Sequence, residues 1–83
     1  MPRPKRARRV CQEPEYSCFY PEGYPMEGVV RLTVDEYEVI RLVDYERLPH
    51  AECAGQMDIS RTTVTEIYER ARHKLADMVV NGK

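Results

Sequence analysis

Apolar residues recur at helical spacing in three stretches of the chain, all of them after position 31. In the first stretch they stand three residues apart, as on one face of a helix. The members of this face are Val34, Tyr37, Ile40 and Val43, with Leu42 at its edge. Thr33 and Glu36 have the spacing of a capping box, which predicts a helix from 34 to about 46. The charged residues predicted to be solvated on the opposite face are Asp35, Glu36, Glu38 and Arg41.

The second and third stretches are separated by a short break at 58–60. We predict a second helix over 49–57, with Pro49 in its first position, where a missing N–H is tolerated. Asp58 occupies the turn, and Ser60 is a suitable N-cap for a third helix over 61–80. The stripe predicted to enter the core from this helix is Val64, Ile67, Ala71, Leu75 and Met78 or Val79. Together with the small residue Ala54 in the second helix, this spacing is typical of a helix-turn-helix.

Residues 11–31 are rich in proline, glycine and aromatic side chains, which predicts a loop. Val29–Leu32 could add one short strand, with Phe19–Tyr20 or another chain as its partner. The aromatic residues are expected to cover the core or, alternatively, to contact a partner, and they are Tyr16, Phe19, Tyr20 and Tyr24. We therefore expect an all-α fold with a basic arm at 1–10, a loop or short strand at 11–31, and a three-helix helix-turn-helix domain at 32–83.

Charge is unevenly distributed along the chain. The first ten residues carry five cations and no acid, whereas the other 73 carry eight cations and fourteen acids, a net charge of −6. The five cations are Arg3, Lys5, Arg6, Arg8 and Arg9. Such an arm is either a solvated tail or a segment that lies along phosphates or enters a minor groove, as in other helix-based DNA readers.

The first half of the third helix would present polar residues outward if Val64 and Ile67 face the core. The predicted DNA-contacting residues of this region are Ser60, Arg61, Thr62, Thr65 and Glu66, with Arg72 and Lys74 reaching the backbone. Arginine can bind guanine or a phosphate, and threonine can bond base edges. Glu66 would be repelled by phosphates unless it accepts a hydrogen bond from cytosine. It could instead pair with Arg70, as Glu69 could with His73, each at i,i+4 spacing.

The three cysteines do not have the spacing of a metal site. Cys11 and Cys18 are separated by six residues, and with Cys53 they are expected to be reduced thiols in the cytoplasm. We predict no cofactor, and a metal-responsive sensor is a minor alternative. No secretory signal or membrane span is apparent, and no nucleophile–base pair or phosphate loop suggests an enzyme.

Two long segments carry a resemblance to known DNA-binding proteins. LTVDEYEVIRLVDYERL at 32–48 and ECAGQMDISRTTVTEIYERARHKLADMVV at 52–80 resemble the C-terminal DNA-binding region, region four, of sigma factors. The whole chain is more similar to a family of small bacterial and archaeal proteins of uncharacterised function that are predicted to bind DNA. The motifs that carry this are PRPKRARRV, CQEPEYSCFYPEG, LTVDEYE, Asp44-x-Glu46-x-Leu48, SRTT at 60–63 and A-R-x-K at 71–74.

The resemblance implies a helix-turn-helix fold and a role in transcription. That family usually has a basic residue at the position of Glu66 and often a cysteine near Ala7. The difference at Glu66 disfavours ordinary base contact by this residue. The difference near Ala7 removes a potential metal ligand.

Three functions follow in order of support. The first is a sequence-specific DNA-binding protein, a transcriptional regulator that acts as a homodimer on double-stranded DNA. The second is a protein-interaction module that keeps the fold, with RNA polymerase or another protein as its partner. This alternative is favoured by the acidic body and by Glu66 and Glu69. An enzyme comes last.

Overall fold

The computed structural model describes residues 14–25 and 28–83, which form three helices. Helix α1 spans Val34–Ile40 and continues as a π-helical segment, Arg41–Tyr45; α2 spans His50–Met57 and α3 spans Arg61–Asn81. Within the described ranges no strand is present, so Val29–Leu32 does not form the short strand with Phe19–Tyr20 that the sequence allowed. The predicted all-α fold with three helices is confirmed.

The predicted helix starts are confirmed at two of the three helices. Thr33 and Glu36 form the reciprocal capping box, with the Thr33 N–H donating to Glu36 Oε1 at 2.8 Å. Ser60 Oγ accepts from the Thr63 N–H at 3.1 Å. Pro49 differs from the prediction, because its ψ of 156° is extended and makes it the N-cap of α2 rather than its first residue. A proline suits either position, since neither needs its N–H.

The turn between α2 and α3 depends on a left-handed residue. Asp58 has φ 58° and ψ 46°, and the following residue, Ile59, donates from its N–H to Ala54 O at 3.1 Å. This hydrogen bond reaches back five residues and satisfies a carbonyl at the end of α2, as in a Schellman motif. Gly82, with φ 66°, ends α3 in the same way, one residue later than predicted.

The core lies where α1 and its π-helical segment, α2 and α3 meet. Its buried apolar residues are Val39, Leu42, Cys53, Ala54, Met57, Val64, Ile67 and Ala71. The predicted inner residues Val64, Ile67 and Ala71 are confirmed on α3. On α1 the prediction was wrong at Val34, which is 52% exposed, and it missed Val39, which is fully buried.

Two carboxylates of α1 that were predicted to be solvated are fully buried, Glu36 and Glu38. Burial of a charge requires a partner, and each has one. Glu36 accepts from Arg70 Nε at 2.7 Å and from Lys74 Nζ at 2.8 Å, and Glu38 binds both Nε and Nη2 of Arg41. The pairing with Glu38 raises the pKa of Arg41.

The π-helical segment ends in a sharp reversal. The Glu46 N–H donates to Arg41 O at 2.8 Å, five residues back, and Leu48 N–H donates to Leu42 O at 3.0 Å. Arg47 has φ 63°, a left-handed conformation that is unfavourable for a residue with a Cβ. The reversal returns the chain to the core, where Leu48 packs before α2 begins.

Candidate nucleic-acid interface

The first half of α3 presents one polar face to solvent. Val64 and Ile67 are buried against the core, at 0% and 1% exposure, and fix the rotation of the helix. Arg61, Thr62 and Glu66 are exposed, as predicted, and Glu69 continues the face. Arg61 is the one cation in the first two turns of α3. This face is therefore open to a ligand but nearly neutral in charge.

Thr65 belongs only in part to this face, because its hydroxyl is engaged within the protein. Thr65 Oγ1 donates to Arg61 O at 3.2 Å and lies 3.1 Å from Nδ1 of His50. Thr65 thus ties α3 to the first turn of α2.

A network that the sequence did not predict lies next to this contact, centred on Tyr68. The Tyr68 ring packs edge-on against His50, with ring centroids 5.0 Å apart. Its hydroxyl donates to Asp44 Oδ1 at 2.8 Å and also contacts Nη1 of Arg72. The Arg72 guanidinium lies 5.3 Å from the ring centroid, within cation–π range. Burial and the carboxylate of Asp44 raise the pKa of Tyr68.

The cations of the second half of α3 are paired with carboxylates of the first helix and its extension. Arg70 and Lys74 bind Glu36, and Lys74 Nζ also donates to Arg31 O at 2.8 Å. Arg72 lies 3.5 Å from Asp44. The predicted i,i+4 pair between Glu66 and Arg70 is replaced by the longer-range pair with Glu36. Contact of Arg72 or Lys74 with a DNA backbone would compete with these bonds.

Burial alone would raise the pKa of Glu36, but its hydrogen bonds prevail. Donation from Lys74, from the Thr33 N–H and from Arg70 lowers the pKa from 4.5 to about 2. The carboxylate is therefore charged at neutral pH and holds the two cations of α3 in place. The arrangement fixes the second half of α3 on α1.

The predicted DNA-contacting residues that remain are Ser60 and the five cations of the arm. The hydroxyl of Ser60 is exposed, but it caps α3 and lies 2.8 Å from Thr63 Oγ1. The five arm cations, Arg3, Lys5, Arg6, Arg8 and Arg9, lie outside the described residues. They stay predictions from the sequence.

The two described cysteines are far from forming a metal centre. Cys18 is exposed, whereas Cys53 is buried with its Sγ 3.8 Å from Met57 Sδ. Burial, reinforced by nearby Glu38, raises the pKa of Cys53 to about 11, so this thiol stays protonated. Across 14–25 and 28–83 no three metal-ligating side chains come together. No helix in that part of the chain has the length and apolar character that a membrane crossing needs.

Comparison with known proteins gives a consistent family. The family model described as "Protein of unknown function DUF134" matches residues 1–83. The UPF0251 protein DSY3441 of Desulfitobacterium hafniense (strain Y51) is 49% identical over 85 aligned positions, covering all of this chain and 68% of the relative. A UPF0251 protein of Aeromonas salmonicida (strain A449) is 46% identical, covering all of this chain and 83% of the relative. No solved structure matches.

Proposed function

The chain belongs to the family described as "Protein of unknown function DUF134", and from the geometry of α3 we propose that it is a sequence-specific DNA-binding protein of the cytoplasm that regulates transcription. The observation that carries the proposal is the exposed face of Arg61, Thr62 and Glu66. This face follows a tight turn and is held outward by buried Val64 and Ile67. The family name adds no activity, so the proposal depends on this surface.

The surface has the size and chemistry of a major-groove reader. The major groove admits one α-helix and displays a different donor and acceptor pattern for each base pair. Arg61 stands in the first turn of α3, where the free N–H groups of a helix also favour phosphate. Its guanidinium can bind guanine at two atoms, and Thr62 can bond an adjacent base or phosphate.

Affinity must come largely from elsewhere. Residues 11–83 carry a net charge of −6, and the cations in the second half of α3 are paired with Glu36 and Asp44. The arm of residues 1–10 holds five cations without an acid. We therefore assign phosphate or minor-groove contact to the arm and sequence choice to the face of α3.

A selection from random duplexes, followed by binding measurements on the winning sequence, tests this function. Arg61→Ala should weaken binding to the selected duplex by roughly five- to 150-fold and binding to random DNA far less, since a bidentate base contact discriminates by about 1–3 kcal/mol. Arg31→Ala is the matched control. Its backbone oxygen meets Lys74, thirteen residues along α3 from Arg61. Equal binding of selected and random DNA by the unaltered protein would refute sequence-specific recognition.

A second candidate function is favoured by Glu66 and Glu69, two exposed acids on the same face. They would suit a protein-interaction module whose partner, such as RNA polymerase, presents basic residues. An Arg61→Ala, Thr65→Ala variant separates the two functions. Unchanged DNA binding by this variant, together with loss of polymerase binding by a Glu66→Gln, Glu69→Gln variant, would favour the protein partner.

A further inference from the structure

A second surface of the molecule is rich in exposed aromatic and apolar side chains and lies towards the other end of α3 from its polar face. It combines the aromatic segment, residues 14–25, with the last turns of α3. Tyr16, Phe19, Tyr20 and Tyr24 are between 70% and 77% exposed, although they were predicted mainly to cover the core. Val79 and Val80 are 75% and 79% exposed. These residues contribute little to the core of the chain that carries them.

A groove joins the two parts of this surface. Phe19, Tyr20 and Pro21 form one side, and Met78, Val79, Gly82 and Lys83 form the other, around a volume of about 240 Å³. This volume is below the roughly 300–1,000 Å³ of typical small-molecule sites. It is better suited to one or two side chains that project from another protein surface.

The backbone of the aromatic segment is also unpaired with the helices. Among the described residues, no backbone hydrogen bond joins 14–25 to the rest of the chain. An apolar segment of this kind gains stability when a partner covers its rings.

We propose that this surface is the interface of a homodimer, with the groove of each copy receiving apolar side chains of the other. A symmetric pair places one patch on both subunits, so a patch with both protruding rings and a groove can be self-complementary. Four rings of roughly 200 Å² each, exposed over about three quarters of their area, offer on the order of 600 Å². Val79 and Val80 bring the exposed area to roughly 800 Å², which, when fully covered, equals the share of one partner in a standard interface.

The length of α3 links the dimer interface to DNA binding. This link rests on the proposed function. The 21 residues of α3 extend about 30 Å at 1.5 Å per residue. The polar face occupies one end of that length and the groove the other. Two copies joined at their groove ends would hold the polar faces of their α3 helices apart. If the two helices are inclined to each other, the distance between these faces can match half-sites about 34 Å apart.

The test is the oligomeric state of the full chain, measured by sedimentation without DNA and with a reducing agent, because Cys18 is exposed. The expected result is a concentration-dependent species of twice the 9.8 kDa chain mass. Tyr20→Ser and Val79→Lys should each raise the dimer dissociation constant at least tenfold, while circular dichroism shows unchanged helix content. Tyr45→Ser is the matched control, because Tyr45 is 81% exposed on the π-helical segment.

Three results would overturn the interface. They are a monomer from low to high micromolar concentration, a dimer insensitive to Tyr20→Ser and Val79→Lys, and a dimer disrupted equally by Tyr45→Ser. Failure of the interface is distinguishable from failure of DNA recognition. A monomer that still binds its selected duplex refutes the interface alone, whereas a dimer without DNA affinity supports the interface and refutes the proposed function.

Discussion

Glu36 of α1 accepts a 2.7 Å hydrogen bond from Nε of Arg70, which lies 34 residues later on α3. The carboxylate is fully buried, whereas the Arg70 side chain is 52% exposed. Lys74 donates to the other carboxylate oxygen of Glu36. Together the two contacts fix α3 on α1. The rotation of α3, and thus the direction of its polar face, depends on these contacts and on the buried valine and isoleucine of its first turns.

Glu36→Gln should destabilise the fold. It removes the charge that Arg70 and Lys74 share but keeps the volume and the acceptor for the Thr33 N–H. Loss of a buried partner is strongly destabilising when the remaining charge is also buried. Here both cations can be rehydrated, so we expect a loss of about 2 kcal/mol in the free energy of unfolding, measured with urea. Glu69→Gln is the control, and its exposed position predicts a change within about 0.5 kcal/mol. A similar loss in both variants would contradict this assignment.

Stability should fall in acid because of the same carboxylate. The pKa of Glu36 is about 2 in the folded protein and near 4.5 when unfolded. A lowered pKa stabilises the fold above pH 4.5, and that contribution disappears as the pH falls towards 2. Its full size is about 3 kcal/mol, of which about 2 kcal/mol should be lost by pH 3. Unfolding free energies of the unaltered protein and Glu36→Gln at pH 7 and pH 3 measure this difference. Parallel pH profiles would show that Glu36 is not responsible.

Arg47→Gly should stabilise the protein. Arg47 is exposed and has φ 63°, a conformation that is unfavourable for a residue with a Cβ by about 1–2 kcal/mol. Glycine removes that strain but loses more entropy on folding, so we expect a net gain of about 0.5–1 kcal/mol. Arg47→Ala is the matched variant, because it removes the side chain and keeps the Cβ. A gain in both variants would point to the lost charge instead of the backbone.

Glu66→Gln should raise the affinity for random DNA several-fold if the polar face of α3 enters the groove. The exposed carboxylate of Glu66 would lie near phosphates, and its neutralisation removes a repulsion. Glu52→Gln, on the outer side of α2, controls for net charge. Fluorescence anisotropy at fixed salt measures both. Weaker binding of the selected duplex by Glu66→Gln would instead identify Glu66 as a reader of cytosine.

Local rules predicted the starts of α1 and α3 and the turn after α2. Thr33 and Ser60 are caps and Asp58 is the turn residue, and each of these roles depends on residues within one turn. The inward side of α3 was found for a related reason, since its apolar stripe is regular. These features placed the exposed polar face correctly without knowledge of the rest of the fold.

These local rules cannot predict contacts between residues that are far apart in the sequence. Glu36 resembles a solvated surface residue in sequence, and only the approach of Arg70 and Lys74 makes its burial tolerable. Glu38 was missed although its partner, Arg41, is only three residues away. The network of Tyr68, Asp44 and His50 joins three elements and has no spacing signal beyond the i,i+4 relation of Tyr68 and Arg72. The π-helical segment was likewise read as ordinary helix, because its apolar spacing is the same.

The internal pairing of Arg70, Arg72 and Lys74 has a thermodynamic consequence for any complex with DNA. A cation already neutralised by its own chain displaces no counterion from the duplex. Only the five arm residues would then act on phosphates, and the logarithm of affinity should fall with the logarithm of salt at a slope of about −4.5. With Arg70, Arg72 and Lys74 also in contact with phosphates the slope would be about −7. Titrations between about 50 and 200 mM salt distinguish these two stoichiometries.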